Sequence, residues 1–338
     1  MKILIINNSF WNFYNFRINL LSEIKKNIDC DIHLAAPEDE YYNKLNNEFS
    51  TYKLEFNSSN TNPFNELFLI TKFHSLINKV KPDIILSFTI KPNIYAGLLA
   101  KKLKIPIINN ISGLGTVFIK QNFLTKIVHF LYKKSFSKYN YIFFQNSFDM
   151  EKFKKMELLN KSNYEIIPGS GIDTSNWENK DSTDINKGRK ILFCARLIKD
   201  KGIVEYLNAA NELKNKYSDI SFNVVGKLGV DNKTSIDKKL LDDYINRKII
   251  NYLGEAENMK DILTQHDIVV LPSYREGMSR LLLEAASMQR PIITTDVPGC
   301  KEIVKDSFNG FLCQPRDYKD LANKIEKIIN ISEEERIK

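Results

Sequence analysis

Short apolar runs broken by polar turns recur along the chain, spaced so that a helix fits after most of them. Lys2 to Ile6, Asp31 to Ala35, Tyr52 to Phe56, Asp83 to Phe88, Ile105 to Asn109, Tyr141 to Gln145 and Tyr164 to Ile167 read as strands. Most are nearly continuous in apolar residues, as strands covered on both faces are. Phe64 to Val80, Ile94 to Leu103 and Phe123 to Lys138 carry apolar positions at helical spacing. The alternation predicts a parallel sheet with helices on both sides. A polar stretch from Pro168 to Gly188, holding Gly169, Gly171 and a run of Asp, Asn, Ser and Thr, interrupts it and reads as a linker. The pattern then restarts, with strands at Lys190 to Cys194, Ile220 to Val225, Ile249 to Leu253, Ile268 to Leu271, Pro291 to Thr294 and Gly310 to Cys313. Helices fall at Val204 to Lys216, Ile236 to Ile245 and Leu281 to Met288. The expectation is an α/β chain of two doubly wound, Rossmann-like domains, residues 1–168 and 189–338, joined by a linker over 169–188. Domains facing one another across a cleft would bind ligands outside the carboxyl ends of their strands.

Length and composition agree: 338 residues with 43% hydrophobic content suffice for two packed cores. The apolar run at Met1 to Asn7 is too short for a secretory leader, and no run approaches the roughly 20 residues that span a bilayer. Cys30, Cys194, Cys300 and Cys313 share no metal-ligand spacing and read as buried reduced thiols of a cytoplasmic protein. Charge changes the picture more. The formal net charge is +8, yet no acidic residue occurs between Asp83 and Asp149, where nine lysines fall. In the helix from Phe123 to Lys138, Leu124, Ile127, Val128 and Leu131 form the expected core side. Lys126, Phe130, Lys133 and Lys134 form the other, an aromatic among cations that suits anionic lipid headgroups. No nucleic-acid-binding motif accompanies the charge, so nucleic acid is not the expected partner.

The candidate chemistry lies in the second half. From Ser273 to Glu284 the sequence reads strand end, glycine turn, helix, with Glu276 in the turn and Glu284 one turn into the helix. Such a turn offers backbone N–H groups and the positive end of a helix dipole to a phosphate. The two carboxylates can accept hydrogen bonds from hydroxyls on either side, the demand of a nucleotide sugar. Arg196 and Lys201, with Gly202, follow another strand and place two cations at a neighbouring carboxyl-end loop. Val225 to Gly229 and Asn251 to Gly254 are strand-end glycine turns, and Asp296 to Glu302, with Gly299, follows Thr294.

In order and spacing, Arg-x4-Lys-Gly, Val-Val-Gly, Leu-Gly, Leu-Pro-Ser-x-x-Glu-Gly-x6-Glu-Ala and Pro-Gly-x-x-Glu resemble the donor half of the retaining GT-B glycosyltransferases of family 4, over most of residues 186–331. The segment Ile167 to Asp173 resembles the entry to that family's hinge. The resemblance implies a metal-independent transferase with a UDP-sugar donor on the C-terminal domain and no other cofactor. Arg196 and Lys201 would neutralise the departing diphosphate, Glu276 would face the donor sugar, and Glu284 would hold the ribose hydroxyls. Gly277, Met278 and Ser279 would offer backbone N–H groups, with Gly202, Gly226, Lys227, Leu253 and Gly299 completing the donor site.

The first half departs from the common family pattern. Asn7 to Arg17 has aromatics in place of a glycine-rich loop, and Asn110 to Thr116 stands where many members carry a histidine. His33, His74, His129 and His266 therefore read as structural or surface residues. Phe-Arg at Arg17, Lys-Pro-Asn at Lys91 to Asn93 and Gly-Leu-Gly at Gly113 to Gly115 resemble a bacterial subgroup that extends glycans on undecaprenyl diphosphate. That resemblance implies a polyprenyl-diphosphate-linked saccharide as acceptor, met by Arg17, Lys91, Asn93, Ser112, Gly113 and Gly115. It also implies an N-acetylhexosamine as the donor sugar, and peripheral attachment to the inner face of the cytoplasmic membrane. By the family's standard, a helix beginning at Glu333 would continue beyond Lys338. The alternatives are a GT-B sugar-nucleotide epimerase and a non-catalytic two-domain sugar-binding protein.

Overall fold

The computed structural model describes residues 1–57, 62–113, 123–159, 162–178, 189–256, 258–332 and 334–335. The chain forms two compact units, Met1–Ser170 and Gly171–Lys338.

The first unit runs β1 (Lys2–Ile6), α1 (Phe10–Phe16), α2 (Ile18–Asn27), β2 (Asp31–Ala36), α3 (Tyr42–Asn46), β3 (Ser50–Lys53), α4 (Pro63–Val80), β4 (Ile84–Phe88), α5 (Ile90–Leu103), β5 (Ile107–Ile111), α6 (Phe123–Ser135), β6 (Asn140–Phe144), α7 (Ser147–Lys155) and β7 (Asn163–Ile166). Its sheet has the order β3-β2-β1-β4-β5-β6-β7, with every pairing parallel. Because side chains alternate across a strand, Leu4 and Ile6 of β1 join the core that holds Phe73, Tyr95, Tyr132 and Phe153 from α4 to α7. Ile3 and Ile5 point the other way, onto Phe10, Phe13 and Leu21 of α1 and α2. Both faces are covered, which explains the unbroken apolar runs.

A buried polar network pins α5 to the sheet. The Ser87 hydroxyl donates to Asn93 Oδ1 (2.7 Å), and Asn93 Nδ2 donates to the Asn110 carbonyl (2.9 Å). Asn109 Nδ2 donates to Ser87 Oγ (2.8 Å), and Asn140 Nδ2 to Asn109 Oδ1 (2.7 Å). Inside a core such groups are stable only when paired.

The second unit opens with a 3-10 turn, Thr174–Trp177, capped by Asp173, and Trp177 packs into its core. Part of the expected linker therefore belongs to this unit, and residues 179–188 lie outside the described residues. There follow β8 (Lys190–Cys194), α8 (Ile203–Lys216), β9 (Ser221–Val225), α9 (Lys238–Asn246), β10 (Asn251–Tyr252), α10 (Met259–Thr264), β11 (Ile268–Leu271), α11 (Arg280–Ser287), β12 (Ile292–Thr295), β13 (Gly310–Cys313) and α12 (Tyr318–Asn330). The sheet order β10-β9-β8-β11-β12-β13, again parallel, repeats the topology of the first unit. In each sheet the direction of winding reverses beside the first strand, between β1 and β4 and between β8 and β11. Doubly wound sheets bind ligands outside the carboxyl ends at that place.

Several expectations need correction. The third strand lies at Ser50–Lys53, two to three residues before the expected position, and β10 keeps only Asn251–Tyr252 of the expected five residues. Helices α1, α2, α3, α7, α10 and α12 lie outside the helical ranges read from the sequence. In α6 Val128 is buried and Leu124 and Leu131 pack against the core as expected, joined by Thr125, Tyr132 and Ser135, while Ile127 is 40% exposed. The inner face is set by the approach to α5, where a Cβ on Gly97 would lie 3.1 Å from Ser135 Cβ, leaving room only for small side chains.

Candidate active site

At the switch point of the second sheet, the loop after β8 and the loop after β11 lie side by side. A backbone hydrogen bond joins them, from the Tyr274 N–H to the Asp200 carbonyl (2.9 Å), and another, from the Glu276 N–H to the Pro298 carbonyl (3.2 Å), ties the loop after β11 to the loop after β12. The Ser273 hydroxyl donates to the Asp200 carbonyl as well (3.2 Å). Glycine is required where these loops touch. Gly202 has φ +75°, and a Cβ there would lie 2.0 Å from the Pro272 carbonyl oxygen. A Cβ on Gly299, at φ +85°, would lie 2.5 Å from the Glu276 backbone.

The juxtaposition brings Lys201 Nζ to 2.5 Å from Glu276 Oε1, with both side chains largely shielded from water. Arg196 is exposed at the start of its loop. Glu284, 6% exposed, accepts from Arg280 Nε at 2.6 Å, one helical turn away. Burial holds its pKa above the ordinary carboxylate value, and the Arg280 guanidinium opposes that shift. The Ser279 N–H, expected to face a ligand, donates to the Gly299 carbonyl (3.1 Å). The Gly226 N–H donates to the Gly254 carbonyl (2.7 Å), which ties the two glycine turns together. Lys227 and Leu253 are exposed, Lys227 within 3.6 Å of Glu255. The thiols of Cys194 and Cys300, at these same loops, are pushed up to about 12, chiefly by burial and also by the charges of Glu284 and Glu276. Neither is a thiolate near neutrality. Among the described residues, no three His, Cys, Asp or Glu side chains gather as a metal site.

Sequence reasoning missed the support around this pair. The Tyr274 hydroxyl donates to Glu205 Oε1 (2.6 Å), and the Arg316 guanidinium lies over its ring, 4.7 Å from the centroid. Glu302 Oε2 accepts from the Gly299 N–H (2.7 Å), so the last acidic residue of the motif series holds a loop.

The first sheet presents a second polar cluster at its own switch point. Arg17 is buried with its guanidinium 4.4 Å from the Phe88 ring centroid. Asn8 Oδ1, Thr89 Oγ1 and Asn110 Oδ1, at the carboxyl ends of the adjacent strands β1, β4 and β5, are buried without hydrogen-bond partners. Each such atom costs about 1–3 kcal/mol, which a ligand hydroxyl or amide can recover. Thr89 also sits at φ +70°, a strained setting for a β-branched residue that is characteristic of functional sites. None of these three was singled out from the sequence. Ser112 and Gly113 directly follow β5, and Gly115 lies outside the described residues. Asn93, by contrast, is 1% exposed and its amide is engaged in the internal network, so the structure does not bring it to a ligand surface. Lys91 is held by Glu66, at 2.6 Å, and by the Asn57 carbonyl, at 2.8 Å.

On α6, Phe130 is 58% exposed with Lys134 Nζ 5.5 Å from its ring centroid, and Lys126 is exposed. Lys133 lies 3.4 Å from Glu157. The four histidines have structural partners: His266 bonds the Ile262 carbonyl, His129 the Met156 carbonyl, His33 the Tyr52 hydroxyl and His74 the Asn78 amide. No helix among the described residues is long and apolar enough to cross a membrane.

Comparison with known proteins adds the family. Residues 2–146 match the model for "Glycosyl transferase 4-like" and residues 175–337 that for "Glycosyl transferases group 1". The chain is 28% identical to N,N'-diacetylbacillosaminyl-diphospho-undecaprenol alpha-1,3-N-acetylgalactosaminyltransferase of Campylobacter jejuni, over 97% of this chain and 89% of that protein. It is 24% identical to UDP-Gal:alpha-D-GlcNAc-diphosphoundecaprenol alpha-1,3-galactosyltransferase of Escherichia coli, over 78% of this chain and 71% of that one. Among solved structures, HepE of Anabaena in complex with UDP and glucose superposes with a TM-score of 0.75 at 18% identity, covering 98% of this chain and 90% of that chain. With one transferase model on each doubly wound unit, the chain belongs to the group 1, family-4-like glycosyltransferases of GT-B fold.

Proposed function

We propose that this glycosyltransferase moves a sugar, an N-acetylhexosamine by preference, from a UDP-sugar to a saccharide carried on polyprenyl diphosphate, with retention of configuration and without a metal ion. The observation that carries the donor half is the Lys201–Glu276 pair at the switch point of the second sheet, beside the Arg280–Glu284 pair on α11. Arg196 and Lys201 neutralise the leaving diphosphate, the part a metal plays elsewhere, and well-aimed donors of this kind contribute about 3–4 kcal/mol each to the transition state. Glu276 accepts from a donor-sugar hydroxyl, Glu284 from the ribose, and the Gly277 and Met278 amides face sugar and phosphate. The bond from the anomeric carbon to the diphosphate breaks as the acceptor oxygen bonds on the same face, and the acceptor proton passes to a diphosphate oxygen. No dedicated base is needed.

The acceptor half draws on the names of the two relatives, both acting on undecaprenyl-diphosphate-linked sugars. Arg17, Lys91, Ser112 and Gly113, joined by Asn8, Thr89 and Asn110, receive that acceptor. Lys126, Phe130 and Lys134 rest on the anionic inner leaflet where such a lipid lies, making the enzyme a peripheral protein of the cytoplasmic face. The domain boundaries that serve this reading are 1–168 and 189–338.

The test is transfer from a panel of UDP-sugars to a short polyprenyl-diphosphate saccharide with chelator present, resolved by mass and anomeric NMR. One α-linked product from one donor is expected. A β-linked product, loss of turnover in chelator, or transfer only to lipid-free acceptors would each overturn the corresponding part.

A further inference from the structure

Beside the first turns of α4 and α5, at the carboxyl edge of the first sheet, lies a cavity of about 190 Å³ lined by Phe56, Asn57, Glu66, Phe68, Lys72 and Lys91. Its chemistry differs from that of the phosphate-facing loops. Glu66 is held from two sides, by Lys91 Nζ at 2.6 Å and by the Tyr95 hydroxyl, so its carboxylate is fixed in direction while the lysine charge is balanced. Burial and that hydrogen bond keep the Tyr95 phenol well above its usual range, so it remains a donor to Glu66. Lys72 donates to the Glu55 carbonyl (3.0 Å) and lies 5.1 Å from the Phe68 ring centroid. Phe68 itself is 64% exposed, a large apolar ring left in water at the rim.

We infer that this cavity is a monosaccharide subsite, in which Glu66 accepts hydrogen bonds from pyranose hydroxyls while Phe68 stacks on the apolar C–H face of the ring. A fixed carboxylate beside an exposed aromatic matches the two faces of a sugar, one of hydroxyls and one of C–H bonds. Size agrees, since the cavity is well below the 300 Å³ or more of drug-sized sites. Thr89 precedes Lys91 by two residues on the same sheet edge. An acceptor of two or more sugars thus sets its reacting hydroxyl by the Asn8, Thr89 and Asn110 cluster and an inner sugar in the cavity. The inference rests on the reading that the acceptor carries a saccharide.

Two measurements on the full chain test it. Saturation-transfer NMR with methyl N-acetyl-α-D-glucosaminide should show binding that Phe68→Ala abolishes, with UDP affinity unchanged. In steady-state transfer, Phe68→Ala and Glu66→Gln should each raise KM for a polyprenyl-diphosphate disaccharide about tenfold, the effect of one lost contact. KM for the UDP-sugar should stay fixed. If both variants keep the wild-type acceptor KM, or the glycoside binds equally well without Phe68, the cavity is no sugar subsite. If wild-type enzyme fails to use any lipid-linked saccharide, the acceptor reading above falls, and the glycoside NMR still decides the cavity. Phe68 is exposed, so its variant folds.

Discussion

Gly202→Ala tests how the loops of the second unit hold the proposed catalytic pair, Lys201 and Glu276. Gly202 follows Lys201 at φ +75°, and an added Cβ would lie 2.0 Å from the Pro272 carbonyl oxygen and 2.6 Å from its carbon. Placing an L side chain in the left-handed region costs about 1–2 kcal/mol. Relieving the clash to a tolerable 3.0 Å requires about 1 Å of movement. Pro272 continues directly from β11 and is itself buried, so the loop carrying Lys201 is the part that gives way. A displacement of about 1 Å at a reacting centre costs on the order of 100-fold in rate. Hence kcat should fall about 100-fold and Tm by roughly 2–8 °C, at about 2–4 °C per kcal/mol. Gly171→Ala is the control, because Gly171 has φ +67° with nothing within 4 Å of the added Cβ. It should lower Tm by the conformational cost and leave kcat alone. Steady-state kinetics and differential scanning calorimetry on the three proteins decide the matter. A Gly202→Ala enzyme with kcat within about twofold of wild type would refute the reasoning.

Further predictions follow from neighbouring groups. Glu276→Gln should abolish measurable transfer while moving Tm by less than about 3 °C, since the side chain faces Lys201 and not an apolar core; unchanged turnover would remove its assigned role. The folded-state pKa of Glu284 is raised, so the ionised form proposed to accept from ribose hydroxyls is lost as pH falls through that raised value. UDP affinity by calorimetry should therefore weaken toward acid, and Arg280→Ala should move the midpoint upward; a flat profile in both proteins contradicts this. His266 has its pKa lowered, chiefly by burial. Its contribution to stability is complete above the ordinary value near 6.5 and is lost as pH falls through the depressed folded value. His266→Leu should flatten urea-denaturation midpoints over that window. Reversing Lys126 and Lys134 to Glu should reduce sedimentation with anionic vesicles several-fold without changing UDP affinity, and full retention on the vesicles would leave α6 an ordinary solvated face.

Most strands were legible because strands buried on both faces must be apolar without interruption, as β1 is between Phe73 and Phe10. The edge strand β3 carries only Ser50, Thr51, Tyr52 and Lys53, so its position follows from pairing with β2 and leaves no apolar run to read. Helix α1 hides among asparagines and aromatics, but Ser9 begins it by accepting from the Asn12 N–H. The resemblance that assigned Asn93 to the acceptor carried no information on where its amide is engaged. The apolar pattern shows α5 only from Ile94, whereas the helix begins at Ile90 and turns the Asn93 amide into the sheet. The two glutamates eight residues apart were visible in the sequence. Their partners were visible only in part: Arg280 stands at helical spacing from Glu284, but Lys201 lies 75 residues from Glu276 and only the adjacency of β8 and β11 joins them. The orphaned oxygens of Asn8, Thr89 and Asn110 have no sequence signal, since burial without a partner is a property of tertiary packing.

The backbone hydrogen bonds among the donor-side loops bear on how this enzyme diversifies. The bonds from Tyr274 to Asp200, Glu276 to Pro298 and Ser279 to Gly299 run between main-chain atoms and are indifferent to side-chain identity. The scaffold that holds Lys201 and Glu276 is thus uncoupled from the side chains proposed to read the sugar. On the proposed reading of the donor site, substitution at Met278 should retune donor choice without dismantling the frame, whereas Gly202 and Gly299 admit no such freedom. Directed evolution of donor preference should accordingly accumulate changes between the anchoring amides and spare the glycines.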